Sequence, residues 1–199
     1  MNQYQLVTDN EEFALTVTEV NDHLKTDFTT IESDPYLAML VKAVETFGED
    51  FTKRTFTQKT YRLYANSWAA IFLLRRAPLI KMEDVKYLDV SNAEITVASS
   101  NYYTSFSSMF ASLIFESSFD CPTLSDRFQA VRIRFNAGYG IDNENIPKPL
   151  KAAMLNHLAE LYANRGDCKG SATPDFMLNN LPDSSRLLYS NYIIREICL

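Results

Sequence analysis

The spacing of apolar residues predicts two helices near the amino terminus. Thr16 followed three residues later by Glu19 has the form of a capping box, and the apolar residues behind it predict a short first helix. Asp34 before Pro35 is a strong start signal for a second helix that reaches about Thr52. Its apolar stripe consists of Leu37, Leu40, Val41, Val44, Phe47 and Phe51. Its opposite, polar face is expected to carry Lys42, Glu45, Glu49 and Asp50.

The middle of the chain shows a different pattern, in which short aromatic and β-branched runs alternate with polar connections. Such runs predict strands. They cover residues 57–64, 70–74, 85–88, 94–98, 113–115 and 130–135. Their spacing favours an antiparallel meander or a small barrel, and residues 99–118 fit either a loop and strand or a hairpin.

Residues 131–165 lead from a strand through a glycine turn into a helix. Apolar residues alternate here with Arg132 and Arg134, which predicts a strand with one apolar and one cationic face. Gly138 and Gly140 end the strand, and we interpret them as a structural turn. The sequence AGYG lacks the lysine of a P-loop and the G-x-G-x-x-G spacing, so a phosphate-binding loop is the weaker interpretation.

Two further helices are predicted after this turn, one behind Pro147 and Pro149 and a short one over residues 183–197. The pattern as a whole predicts an α+β fold, with a core of about four helices and an antiparallel β region inserted between the N-terminal and C-terminal helices. We expect a single domain over residues 1–199. Within it we expect N-terminal helices in 1–54, the inserted β region in 55–136 and C-terminal helices with a tail in 147–199.

Several motifs in this order resemble the head-tail connector family of tailed bacteriophages, the small adaptor or head-completion proteins. The family's F-x-A-G-Y-G and L-Y-x-N-R motifs are matched by Phe135, Ala137, Gly138, Tyr139, Gly140, Leu161, Tyr162, Asn164 and Arg165. Upstream segments are similar at Leu15, Thr16, Glu19, Leu24, Phe47, Phe51, Thr52, Arg54, Leu74, Arg75, Pro78, Leu79, Val85, Tyr87 and Asp89. Lys53 departs from the pattern, since the family has a glycine there.

The resemblance implies a structural virion protein of the phage neck, assembled in the host cytoplasm. Such a protein binds beneath the portal as a ring, extends the DNA channel and docks the next neck or tail protein. Twelve copies are implied because the portal is a dodecamer. Carboxyl-terminal segments of the family reach the portal, which makes Tyr189, Tyr192, Ile193 and Ile194 the candidate portal contacts.

Composition and charge limit what else the protein can do. A net charge of -6 argues against gripping nucleic acid through phosphates, so packaged DNA is expected to pass without sequence-specific binding. No apolar run approaches the ~20 residues that span a bilayer, and no membrane partner is expected. The three cysteines are expected to be reduced thiols.

Catalytic and metal-binding patterns are weak in this sequence. His157 and Glu160 form a single H-x-x-E pair, the reverse of the ferritin-like spacing, and His157 falls on an apolar stripe. We interpret His157 as a packed, hydrogen-bonded core residue. With two histidines and no nucleophile-base pairing, we expect no enzyme, no cofactor and no metal site.

The charged residues allow two interpretations. Solvated surface charge is the simpler one. The other is pairing between subunits of a closed ring, with the candidates Arg132 and Arg134 facing Glu45, Glu49 and Asp50 of a neighbour. The alternative function is a small cytoplasmic regulatory module that captures one protein partner. A metal hydrolase built on the 25 carboxylates has no D-x-D motif or paired E-x-x-H motif to support it.

Overall fold

The computed structural model describes residues 3–106, 111–141, 143–164 and 181–194. The chain folds into two compact units, which we call the β unit and the helical unit. The β unit consists of Met1–Glu11, Thr57–Ile141 and Ile194–Leu199, and the helical unit consists of Glu12–Phe56 and Asp142–Ile193. The division predicted from sequence, at 1–54, 55–136 and 147–199, stays a prediction.

The helical unit contains four described helices, which we number in chain order. They are α1 (Val17–Leu24), α2 (Pro35–Thr52), α3 (Lys148–Ala163) and α4 (Asp183–Ser190). The predicted capping box of α1 is confirmed, because Thr16 Oγ1 accepts from the Glu19 amide at 3.1 Å and Glu19 Oε2 accepts from the Thr16 amide at 2.9 Å. Asp34 caps α2 by accepting from the Tyr36 amide at 2.9 Å.

Two details of α2 follow from its close packing. Gly48 lies where a Cβ atom would stand 2.7 Å from Phe56 and 3.0 Å from Tyr189, so only glycine lets these rings approach the helix. The helix then ends at Lys53, which takes the left-handed conformation (φ 60°, ψ 19°) although it has a side chain. The left-handed position that the connector family fills with glycine is therefore kept here by a lysine.

The β unit contains eight described strands in two antiparallel sheets. The strands are β1 (Gln3–Thr8), β2 (Lys59–Ala65), β3 (Ile71–Leu74), β4 (Leu79–Leu88), β5 (Glu94–Thr96), β6 (Tyr102–Phe106), β7 (Ala111–Phe115) and β8 (Val131–Ala137). A five-stranded sheet has the order β1-β2-β8-β4-β5, and a three-stranded sheet has the order β3-β7-β6. Strand β1 was not predicted, and of the two alternatives left open for residues 99–118 the hairpin is correct, because β6 pairs antiparallel with β7. Of the two arrangements considered, a meander or a small barrel, the meander is wrong, because β8 lies between β2 and β4.

Both sheets contribute to one apolar core in the β unit. Fully buried side chains include Leu63, Ile133 and Phe135 of the larger sheet and Leu74 and Leu113 of the smaller one. Strands β2 and β8 alternate buried and half-buried residues along their whole length, so one face of the larger sheet packs inward and the other carries polar side chains. The predicted α+β class, with a β region between N-terminal and C-terminal helices, is confirmed.

Candidate functional site

The polar face of the five-stranded sheet brings together the charged residues that the sequence singled out on β8. Arg132 Nη1 lies 2.6 Å from Glu94 Oε2, and Lys86 Nζ lies 2.9 Å from the other oxygen of the same carboxylate. Hydrogen bonds from Lys86 and then from Arg132 hold the pKa of Glu94 below its usual value. Arg134 Nη2 lies 2.7 Å from Asp84 Oδ2. Both arginines therefore pair with carboxylates of their own chain.

Arg62 adds a further cation to this surface. It lies on β2 directly opposite Arg134 of β8, while Asp84 lies opposite Arg134 on the other side. We call the set the charged sheet face. It consists of Arg62, Asp84, Lys86, Glu94, Arg132 and Arg134.

The expectation that Glu45 and Glu49 lie on the polar face of α2 is wrong. Glu45 is 1% exposed, accepts from the Ala14 amide at 3.2 Å and lies 3.4 Å from Lys42 Nζ. Glu49 is 6% exposed and accepts from the Phe56 amide at 2.7 Å. These carboxylates satisfy buried backbone donors of their own unit. Their predicted contact with another subunit stays a prediction, and of the three acidic candidates Asp50 alone is exposed.

The four candidate portal contacts near the end of the described chain differ in how deeply their side chains are buried. Tyr189 is 0% exposed and packs against Phe47 and Phe51, with ring centroids at 6.4 and 5.8 Å. Burial raises the pKa of its hydroxyl. Tyr192 and Ile193 are half-buried, and Ile194 is 8% exposed. A contact with another protein through Tyr189 would require its ring to leave the helical unit, so Tyr192 and Ile193 are the accessible candidates.

The interpretation of His157 as a core residue is correct in its packing and wrong in its hydrogen bonding. The side chain is 0% exposed and meets the Phe47 ring edge to face at 4.9 Å. Neither ring nitrogen has a hydrogen-bond partner among the described residues. Burial lowers its pKa to about 4, so the ring is neutral at pH 7.

Glycine residues in the turn after β8 allow its backbone to pass close to the backbone of residues 57 and 58. Gly138 has φ 133°, and a Cβ atom there would lie 2.5 Å from the Thr57 carbonyl oxygen. The Gly138 amide donates to the Pro78 carbonyl at 2.9 Å, and the Gly140 carbonyl accepts from the Gln58 amide at 3.0 Å. An amide already bonded within the chain is not available to cradle a phosphate.

The cavities carry no arrangement of catalytic groups within the described ranges. An open groove of 520 Å³ in the β unit is lined in part by Trp68, Asp126, Arg127 and Phe128. A smaller one of 190 Å³ in the helical unit lies beside the start of α1. In the part of the chain that the structure describes, no group of three or more His, Cys, Asp or Glu side chains could hold a metal ion. No helix in that part is long and apolar enough to cross a membrane.

Comparison with solved structures identifies the fold. A chain in the "Neck of empty GTA particle computed with C6 symmetry" matches with a TM-score of 0.75 and 20% identity, over 98% of this chain and 97% of that one. The chain has the fold of a gene transfer agent neck component. A second neck chain, from the native particle computed with C12 symmetry, also gives a TM-score of 0.75 at 20% identity and the same coverage.

A third match comes from the "Virion of native gene transfer agent (GTA) particle", with a TM-score of 0.73 and 21% identity over 98% of this chain and 97% of that one. No protein-family model and no curated protein matches the sequence. At these identities the likeness concerns the fold. It agrees with the fold expected from the connector resemblance, which rested on the order of the motifs.

Of the six residues of the charged sheet face, the sequence singled out Arg132 and Arg134, whereas Arg62, Asp84, Lys86 and Glu94 were not predicted. Arg62 alternates with buried residues in β2, and Arg132 and Arg134 do the same in β8. The alternation was visible as a strand signal. The sequence did not show that β2 and β8 are neighbours, because 65 residues lie between Ala65 and Val131 and the pairing is non-local.

Proposed function

We propose that this protein is a structural component of the neck of a phage-like virion and acts as a head-tail connector. The observation that carries the proposal is the agreement in fold with neck chains. It extends over 98% of this chain and 97% of the matching chain. A match of this extent includes both compact units. Ordered connector motifs in the sequence support the same function independently of the fold.

The proposed mechanism is binding, without bond making. Copies assemble as a ring beneath the portal, extend the DNA channel and offer a platform to the next neck or tail protein. Neck structures computed with C6 and with C12 symmetry support a ring, and a dodecamer is the proposed state. An assembled portal would favour ring closure, because each bound copy raises the effective concentration of the next contact.

The contact with the portal is proposed to use Tyr192 and Ile193. Both are half-buried and follow α4, and Arg54 Nε donates to the Tyr192 carbonyl at 2.7 Å while its guanidinium lies 6.0 Å from the Tyr192 ring. Arg54 thus fixes the start of the tail on the helical unit. Large apolar and aromatic side chains held in this way make good interface anchors.

Size-exclusion chromatography with light scattering tests the proposal. The protein is run alone and with the portal ring encoded nearest to it, and the expected result is a mass gain of about one copy per portal subunit. Ile193→Ser should weaken this binding, whereas Leu187→Ser, which removes an apolar side chain of 67% exposure from α4, should not. Absence of co-elution at low and moderate salt would count against the connector function and favour a small binding module.

A further inference from the structure

The charged sheet face has an unbalanced centre. Arg62 and Arg134 occupy directly opposed positions on β2 and β8, where like charges are destabilising. Arg134 has Asp84 as its partner, but Arg62 pairs with no carboxylate among the described residues. The six residues of the face are four cations and two carboxylates, although the whole chain has a net charge of -6. Glu83 accepts from Asn136 Nδ2 at 2.9 Å on the same side of β8 and lies 3.9 Å from Lys81, so these two neighbours leave the excess of positive charge unchanged. An anionic group from outside the chain would relieve the repulsion.

The negative charge of the chain is concentrated in the other unit. The sequence ranges of the helical unit contain 15 Asp and Glu against nine Lys and Arg, whereas those of the β unit contain ten of each. Most of the excess lies in residues 12–34, with six carboxylates and Lys25 as their one Lys or Arg.

Part of this acidic segment is already committed to its own unit. Glu19 Oε1 lies 2.8 Å from Lys151 Nζ, and Asp34 caps α2. Asp22, Asp27 and Glu32 are exposed and form no ion pair within the described ranges. These three carboxylates are therefore available to a partner.

We propose that the charged sheet face of one copy docks against the acidic segment 12–34 of a second copy. The two surfaces are different and complementary, so the contact is heterologous and can propagate around a ring. This proposal rests on the ring proposed above and assigns its contact. A second copy fits better than DNA, because Asp84 and Glu94 stand within the face and would repel a phosphate backbone.

Isotopic mixing with zero-length cross-linking tests the contact. Isotopically light and heavy protein are mixed at high concentration and low salt, with and without the portal, and treated with a carbodiimide. Lys86 should be joined to carboxylates of residues 12–34 in light-heavy peptide pairs. The pair of Lys86 with Glu94, 2.9 Å apart, is the internal control for a bond within one chain.

Charge reversal gives a second readout that leaves the internal ion pairs in place. Arg62→Glu should weaken self-association at least about tenfold, and adding Asp22→Lys or Glu32→Lys should restore it. Arg127→Glu makes the same charge change at an exposed loop position of the β unit and should have no effect.

The other possible outcomes distinguish the proposed contact from the proposed connector function. Portal binding without light-heavy cross-links to residues 12–34 would leave the connector function standing and refute this contact. Light-heavy cross-links in a protein that ignores the portal would support the contact and refute the connector function. Binding of duplex DNA that is lost in Arg62→Glu would assign the face to nucleic acid and overturn the proposal.

Discussion

The buried histidine of α3 makes the stability of the helical unit depend on pH. His157 is fully buried, has no hydrogen-bond partner among the described residues and has a pKa of about 4 against 6.5 for an exposed histidine. As pH falls below 6.5, the unfolded chain binds a proton that the folded chain does not. The free energy of unfolding therefore decreases from about pH 6.5 down to about pH 4.

The size of the effect follows from the two pKa values. Relative to high pH, the free energy of unfolding is lower by about 0.2 kcal/mol at pH 7, by about 2 kcal/mol at pH 5 and by about 3 kcal/mol below pH 4. Replacement by leucine removes the proton site and keeps an apolar side chain beside Phe47, at the cost of an edge-to-face ring contact of about 1 kcal/mol. It also removes two buried, unpaired ring nitrogens, each of which costs about 1 kcal/mol or more.

We expect His157→Leu to be as stable as the parent or about 1 kcal/mol more stable at pH 7, and to gain about a further 2 kcal/mol relative to it at pH 5. Urea unfolding followed by far-ultraviolet circular dichroism, repeated across this range, measures the difference. His23→Gln is the matched control. Its free energy of unfolding should keep the dependence on pH that His157→Leu removes. Parallel stability curves for the parent and His157→Leu between pH 7 and pH 5 would refute the assignment of a buried, neutral His157.

Three further changes test the local geometry by thermal or urea unfolding. Gly138→Ala should destabilise the β unit by about 2 kcal/mol or more, because its Cβ would stand 2.5 Å from the Thr57 carbonyl oxygen at φ 133°; unchanged stability would contradict this packing. Lys53→Gly should stabilise α2 by up to about 1 kcal/mol by relieving the left-handed conformation, and Lys53→Ala should not. Glu49→Ala should cost about 1 to 3 kcal/mol by leaving the buried Phe56 amide unpaired, whereas exposed Asp50→Ala should cost little.

Local signals fixed the helices because their causes lie within a few residues of each other. The cap at Asp34, the proline behind it and the apolar repeat predicted α2 to within a residue of its observed bounds, Pro35–Thr52. The capping box at Thr16 did the same for α1. Alternation in 131–135 identified β8 and its cationic face for the same reason.

Sheet order and burial depended on contacts between distant residues. Strand β1 pairs with β2 but is mostly exposed. Its alternation covers only Gln3 to Leu6 and is followed by Val7, which is too short a pattern to identify a strand by itself. Glu45 and Glu49 are charged and looked like surface residues, and only the approach of the Ala14 and Phe56 amides explains their burial. Hydrogen bonds to charged groups can outweigh the cost of such burial when geometry supplies the donor.

Sequence by itself thus determined helices α1 to α3, the strand character of the middle region and, through ordered motifs, the resemblance to connectors. The last helix was predicted too long, since α4 ends at Ser190 and not at residue 197. Only the tertiary structure decided that β8 lies between β2 and β4, which places Arg62 opposite Arg134 and creates the charged sheet face. The physical reason is range. Helix caps and apolar periodicity depend on residues within one or two helical turns of each other. Strand pairing joins segments that are far apart in the sequence, and neither segment carries a local pattern that identifies its partner.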